Sequence, residues 1–316
     1  MACRRVLAAM FLLSLTATLL PPAAQAQYCP STRSESDRRD DVLGPQVHLV
    51  YAVPLDGSDR RYDTNNVLCR SANLTNMWLY QHTHGRSLRL DSSQGSLDIT
   101  FARLRLSEAE LLATGRLLRN EIEHELAATN LIQAGKLYAV YYDGASADVC
   151  GGGAFPPLVD GVVASIYLRG RTQRGDSCDD RDFADVRTAP GYWEFSILHE
   201  LLHTMGLVPT NAPHYLEPGH VTDDRRDLMY SGPLPWTPSF VDVNKDDYWA
   251  KLVSSEYLDW AGSDLDTRFV LPDAFTDDPM TASTPTRSGL TATRQGHYEP
   301  GGPAGEATTS RPDRSF

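Results

Sequence analysis

The chain has 316 residues, 41% of them hydrophobic, and a formal net charge of −12. That apolar content suffices for the core of one sizeable domain. So large an acidic surplus excludes nucleic acid and anionic membrane surfaces as partners held by charge.

In chain order, residues 1–26 have the pattern of a secretory signal peptide. Arg4 and Arg5 form its positive start, Val6 to Leu20 its apolar run, and Ala24-Gln25-Ala26 a small-residue cleavage site. The mature chain would begin at Gln27 and, without those two arginines, carry −14. The apolar run is short for a membrane span, and no later stretch approaches one. Stable membrane insertion is therefore not expected, and the expected location is secreted or otherwise extracytoplasmic, extracellular or periplasmic. Residues 27–45 are polar and read as an N-terminal arm. Residues 46–275 read as one domain. Within it, Val47 to Val53 is a strand, 65–82 a helix, and Ser87 to Asp91 and Leu97 to Phe101 are alternating, half-buried strands. Ser107 to Leu131 is a helix opened by a capping box from Ser107 to Glu110, with Leu111, Leu112, Leu118, Ile122 and Leu126 on its apolar stripe. Leu137 to Tyr142 reads as a buried central strand, and Val162 to Leu168 as another. A C-terminal helix is expected around 246–262. Residues 276–316, rich in Thr, Ser, Pro and Gly, read as a disordered tail.

Export changes the meaning of the cysteines. Cys3 leaves with the signal, and Cys29, Cys69, Cys150 and Cys178 remain, an even number in an oxidising compartment. Cys29–Cys69 and Cys150–Cys178 are the favoured pairs, because each closes a local loop. A four-cysteine zinc cluster is disfavoured, since no C-x-x-C pair exists. Capping of a metal by Cys29 would strand another thiol.

His199-Glu200-Leu201-Leu202-His203 carries the chemistry. On a helix, positions i and i+4 share a face, so His199 and His203 can present two imidazoles to one zinc ion. Glu200 lies beside the first of them, where a carboxylate can take a proton from water activated by the metal. Phe195, Leu198, Leu201, Leu202 and Met205 recur at helical spacing, and Gly206 is a natural stop.

With Gly206, and with Asp227-Leu228-Met229-Tyr230 some twenty residues on, this stretch resembles the metzincin metallopeptidases. Their pattern is H-E-x-x-H-x-x-G-x-x-H followed by a methionine-containing turn. The resemblance covers about residues 193–232. It implies an α+β fold, with a twisted mixed β-sheet, helices packed on it, an active-site helix and a small, mainly helical C-terminal subdomain. It implies one catalytic Zn2+, a protein or peptide substrate, Met229 as an apolar floor under the metal, and Val162 to Leu168 as the sheet edge that pairs with extended substrate. The chain departs from the pattern at Pro209, where the third ligand would fall. Between Gly206 and Met229 it offers His214, Glu217, His220, Asp223 and Asp224. His220, next to Gly219 and close to the Met-turn, is favoured. His214 is the alternative, and an aspartate the third choice.

The expected activity is therefore that of a secreted zinc endopeptidase with Glu200 as general base. Alternatives are a protein of this fold that binds without turnover, or another zinc-dependent amide hydrolase. A further ion is weakly supported. Asp242-Val243-Asn244-Lys245-Asp246 looks like the start of a calcium loop, but it lacks the glycine at loop position six, and Val253 stands where the bidentate Glu belongs. His82, His84 and His124 read as surface histidines.

Overall fold

The computed structural model describes residues 29–173, 175–184 and 189–260. The expected signal peptide and tail lie outside these residues, as does the expected domain beyond 260. In chain order the elements are β1 (Gln46–Val53), α1 (Val67–His82), β2 (Arg86–Leu88), β3 (Ser92–Ser93), β4 (Ser96–Leu97), β5 (Ile99–Arg103), α2 (Glu108–Ala113), α3 (Leu118–Ala128), β6 (Lys136–Ser146), β7 (Gly151–Phe155) and β8 (Val159–Gly170). There follow α4 (Tyr192–Thr204), β9 (Tyr215–Leu216), β10 (His220–Val221), α5 (Trp249–Val253) and β11 (Leu258–Trp260).

Alternation explains the layering. In β1, Val47, Leu49, Tyr51 and Val53 join one hydrophobic cluster, and Val50 and Ala52 another. In β6, Leu137, Ala139 and Tyr141 join the first cluster, and Tyr138, Val140 and Tyr142 the second. Successive strand side chains point to opposite faces, so strands with no polar face must be covered on both. Helices α1 and α4 cover the first face, and α2 and α3 the second. The sheet order is β5-β1-β6-β8-β7, parallel except for β7, which runs antiparallel to β8. The sheet is mixed, as expected: mostly parallel with one antiparallel edge strand, and covered on both faces.

Four expectations change. The segment Val162 to Leu168 is inside the sheet, between β6 and β7, so it is not the edge. The edge is Gly151–Phe155, whose glycines have no hydrophobic pattern to announce a strand. The helix expected over Ser107 to Leu131 keeps its capping box but breaks after Ala113, passes through a 3₁₀ turn at Gly115–Leu117 and ends at Ala128. Gly115 takes a positive φ of 55° there, which a continuing α-helix does not use. The helix expected around 246–262 is only five residues long, Trp249–Val253. Beyond it Leu258–Trp260 pairs antiparallel with β2, and Arg89 binds Asp259 at 2.7 Å, so strand pairing overrides the local pattern. Among the described residues, the segment after α4 is therefore short strands, turns and α5, and not mainly helical.

Both disulfides form as paired above. Cys29–Cys69 ties the arm to α1, and Cys150–Cys178 ties the start of β7 to the loop after β8, so Cys29 is not available to cap a metal. Asp242 accepts the backbone N–H groups of Tyr248 and Trp249 at 2.7 and 2.5 Å, the behaviour of a turn leading into α5 and not of a calcium loop.

The arm is also held by charge. Lys136, 3% exposed, reaches Asp37 and Asp40 of the arm at 2.8 Å each and Asp91 at 2.6 Å. Burial alone would pull its pKa down, but the hydrogen bonds it donates to these three carboxylates hold it above the ordinary lysine value. Removing one partner of a buried ion network leaves uncompensated charge, at a cost of about 3–5 kcal/mol. Lys136→Ala is therefore expected to lower the melting temperature by roughly 10 °C, measured by thermal unfolding. An unchanged melting temperature would show that the carboxylates are solvated without it.

Candidate metal centre

Helix α4 starts where Glu194 turns back to accept the backbone N–H groups of Gly191 at 2.9 Å and Ala184 at 3.1 Å. Ile197, Leu198, Leu201 and Leu202 bury it against the sheet. It ends at Gly206, whose φ of +64° lets the Gly206 N–H return to the His203 carbonyl at 2.7 Å and the Leu207 N–H to the Leu202 carbonyl at 3.2 Å. His199, Glu200 and His203 are all buried on this helix.

The edge strand β7 fits against α4 because it has no side chains there. A Cβ on Gly153 would lie 2.5 Å from the Glu200 carbonyl oxygen, and one on Gly151 would lie 2.7 Å from Glu200 Oε1. The sequence reading gave these glycines no role. Three in a row are themselves a sign of close backbone approach.

From Gly206 the chain runs through a turn at Pro209–Ala212 into the β9–β10 hairpin, where His220 faces Leu216. Gly219, with φ +74°, closes this hairpin against the Phe155 ring, which a Cβ would strike at 2.4 Å. Val221 then bonds the Met-turn on both sides. Its N–H donates to the Met229 carbonyl at 3.0 Å, and its carbonyl accepts the Ser231 N–H at 2.9 Å. This pairing brings His220 back to α4.

The three imidazoles meet. His203 Nε2 lies 3.0 Å from His199 Nε2 and 3.1 Å from His220 Nε2. His199 Nδ1 donates to the Leu228 carbonyl at 2.7 Å, so its Nε2 is the bare nitrogen. Burial lowers the His199 pKa to about 4, and burial with mutual repulsion holds His203 and His220 well below the ordinary value. Neutral rings point lone pairs at one spot, and the Nε2–H of one ring could satisfy only one of its neighbours. A cation resolves this. About 3.3 Å separates the nitrogens of a tetrahedral zinc site with bonds of about 2.0–2.1 Å, so the donor set fits such an ion with little adjustment. His220 Nδ1 is buried without a hydrogen-bond partner among the described residues.

His214 is not part of this group. Its N–H and Nδ1 both bind the Asp247 carboxylate, at 2.9 and 3.0 Å, and Asp223 stands 3.9 Å away. The hydrogen bond to Asp247 raises its pKa. Among the described residues, the other histidines stay apart from the centre: His48 sits between Asp91 and Thr100, at 2.6 and 2.9 Å. His82 stacks on Trp78, His84 accepts from Lys245 at 2.9 Å, and His124 lies beside Glu121. Met229 is fully buried in the same core as α4. Two aromatic groups that the sequence did not single out frame the histidines: the Trp236 ring lies edge-on to His199 at 5.7 Å, and Phe155 edge-on to His203 at 5.8 Å.

No protein-family model matches the chain, and no curated protein matches it. Among solved structures it is similar to an archaemetzincin from Methanopyrus kandleri, at 15% identity and a TM-score of 0.31, over 58% of this chain and 81% of that one. It is also similar to wild-type OgpA from Akkermansia muciniphila, at 17% identity and a TM-score of 0.37, over 77% of this chain and 67% of that one. Catalytically inactive OgpA in complex with an O-glycopeptide substrate, glycodrosocin, is similar at 16% identity and a TM-score of 0.30, over 60% of this chain and 52% of that one. These likenesses are distant.

Burial raises the Glu200 pKa to about 8, against a hydrogen bond from the Gly153 backbone that lowers it. A carboxyl whose folded pKa lies above its unfolded one costs nothing below the unfolded value. The cost grows as pH rises from there to about 8 and is constant above that. With chelator present, Glu200→Gln is therefore expected to melt higher than the parent chain, by a margin that widens from pH 5 to pH 8 and then levels. A margin independent of pH would show that Glu200 ionises normally.

Proposed function

We propose that the protein is an exported zinc-dependent endopeptidase in which His199, His203 and His220 hold the ion and Glu200 is the general base. One observation carries this reading: the Nε2 atoms of neutral His199 and His220 both lie about 3 Å from that of His203, at 3.0 and 3.1 Å, beside a buried carboxylate. Zinc in such a site supplies Lewis acidity, polarising a carbonyl and making water acidic near neutrality. Three protein ligands leave a position open, as a catalytic site requires and a structural one does not.

The chain's own residues do the rest. Glu200 takes the proton of the attacking water and passes it to the leaving amine. Burial against β7 raises the proton affinity of this carboxylate in the metal-free chain, which favours its taking the proton. As the sheet edge, β7 offers backbone groups on its outer side to an extended peptide, beside Glu200. Met229 gives the site an apolar floor. The two disulfides favour an oxidising, extracytoplasmic location. A protein that only binds has no use for a carboxylate buried at a cost beside the metal ligands, which favours turnover over a binding role.

The test is cleavage of an unfolded protein by the purified mature chain. Activity is expected to vanish with chelator, return with zinc, and fall at least a thousandfold, an order-of-magnitude expectation, in Glu200→Ala. His220→Ala is expected to lose zinc and activity, and His214→Ala to keep both. Loss of zinc from His214→Ala with retention by His220→Ala would reverse the ligand assignment.

A further inference from the structure

Asp227 is fully buried, and among the described residues it forms no ion pair. Three donors converge on its carboxylate instead. Oδ1 accepts the Met229 N–H at 2.7 Å and the Tyr248 hydroxyl at 2.8 Å, and Oδ2 accepts the Val243 N–H at 2.8 Å. Its own carbonyl accepts the Trp236 indole N–H at 3.0 Å. The next carbonyl, that of Leu228, is the one His199 Nδ1 bonds at 2.7 Å.

These bonds share one geometry. The Leu228 peptide unit lies between a carboxylate that grips Met229 and a carbonyl that grips Trp236, and the Trp236 ring stands edge-on to His199. The Leu228 carbonyl thus has little freedom to turn away. A hydrogen bond on one imidazole nitrogen determines which nitrogen is bare, and such outer contacts tune a metal site as its ligands do.

We infer that Asp227 is a positioning residue of the metal centre: by clamping the turn on both sides of Leu228, it aims that carbonyl at His199 Nδ1 and holds the bare Nε2 toward His203 and His220. This rests on the reading of the three histidines as metal ligands. A carboxylate suits the place because all three contacts are donors. An asparagine would turn its NH2 against one of them, and a shorter side chain would leave them buried and unpaired.

The experiment measures zinc affinity by chelator competition, and the visible spectrum of the cobalt-loaded protein, for the parent, Asp227→Asn and Tyr248→Phe. Leu126→Ala, on the far face of the sheet, controls for lost stability alone. Asp227→Asn is expected to bind zinc about ten- to a hundredfold more weakly and to change the cobalt bands. Tyr248→Phe is expected to shift both less, and Leu126→Ala neither. A folded Asp227→Asn protein with the parent's zinc affinity and cobalt spectrum would overturn the inference. If that variant does not fold, Tyr248→Phe decides: weakened zinc binding supports the role, and parental binding overturns it. A folded parent chain that binds no zinc is a separate result, and it sinks the metal-centre reading itself.

Discussion

The fold turns on the approach of one helix to one strand. Helix α4 lies so close to β7 that a single methyl at Gly153 would overlap the helix backbone. Everything at the centre follows from that closeness. It buries Glu200 against a backbone instead of a side chain, and it places the histidines beside the sheet edge. The hairpin that carries His220 rests on Phe155, the last residue of the same strand. Cys150, linked to Cys178, anchors the strand where this contact begins.

Around this contact the site is built largely from main chain. Val221 pairs with Met229 and Ser231, the Leu228 carbonyl orients His199, and the Gly153 backbone bonds Glu200. Backbone atoms move only when their element moves, so such supports place a side chain more firmly than flexible partners would. The detour from His203 to His220 covers 17 residues, longer than the six-residue spacing between the second and third histidines of H-E-x-x-H-x-x-G-x-x-H. It is tolerated because the position of His220 is fixed where the detour ends, at the Met-turn, and not by the path in between.

How much of this was legible in the sequence depended on whether the signal was local. The spacing of His199 and His203 and the stop at Gly206 are properties of one helix, and they could be read directly. The apolar runs of β1 and β6 could equally be read as strands. His220 was chosen over His214 only from its glycine neighbour and its closeness to Met229, and the structure sets the two apart, one among the histidines and one on Asp247. Strand β7 was not legible, because its glycines carry no hydrophobic period and its pairing with β8 is tertiary. The segment around 246–262 misled for the opposite reason: its apolar residues suit a helix, but Leu258–Trp260 finds a partner in β2. The buried role of Asp227 depends on Val243 and Tyr248, far enough along the chain that no spacing rule connects them.

The pairing of β2 with β11 also bears on how the protein reaches this state. Arg89 and Asp259, joined across that ribbon, are 170 residues apart, and Arg86 reaches the Val253 carbonyl from the same side. All three histidines, Glu200, Met229 and Asp227 lie between these ends. Closing so long a loop costs entropy before any contact repays it, and parallel strands joined by crossovers add further distant pairings. A chain emerging from synthesis can therefore form β1, α1 and α3 early, but not the metal centre. Until residue 220 is present the helix holds two histidines without their third. Until Val243 and Tyr248 are present, the Asp227 carboxylate that grips the turn has only the Met229 N–H as a donor. In kinetic terms, the meeting of the three histidines awaits contacts made late in the chain, and a chain cut short of Val243 and Tyr248 would keep the H-E-x-x-H motif while losing two of the three donors that hold Asp227.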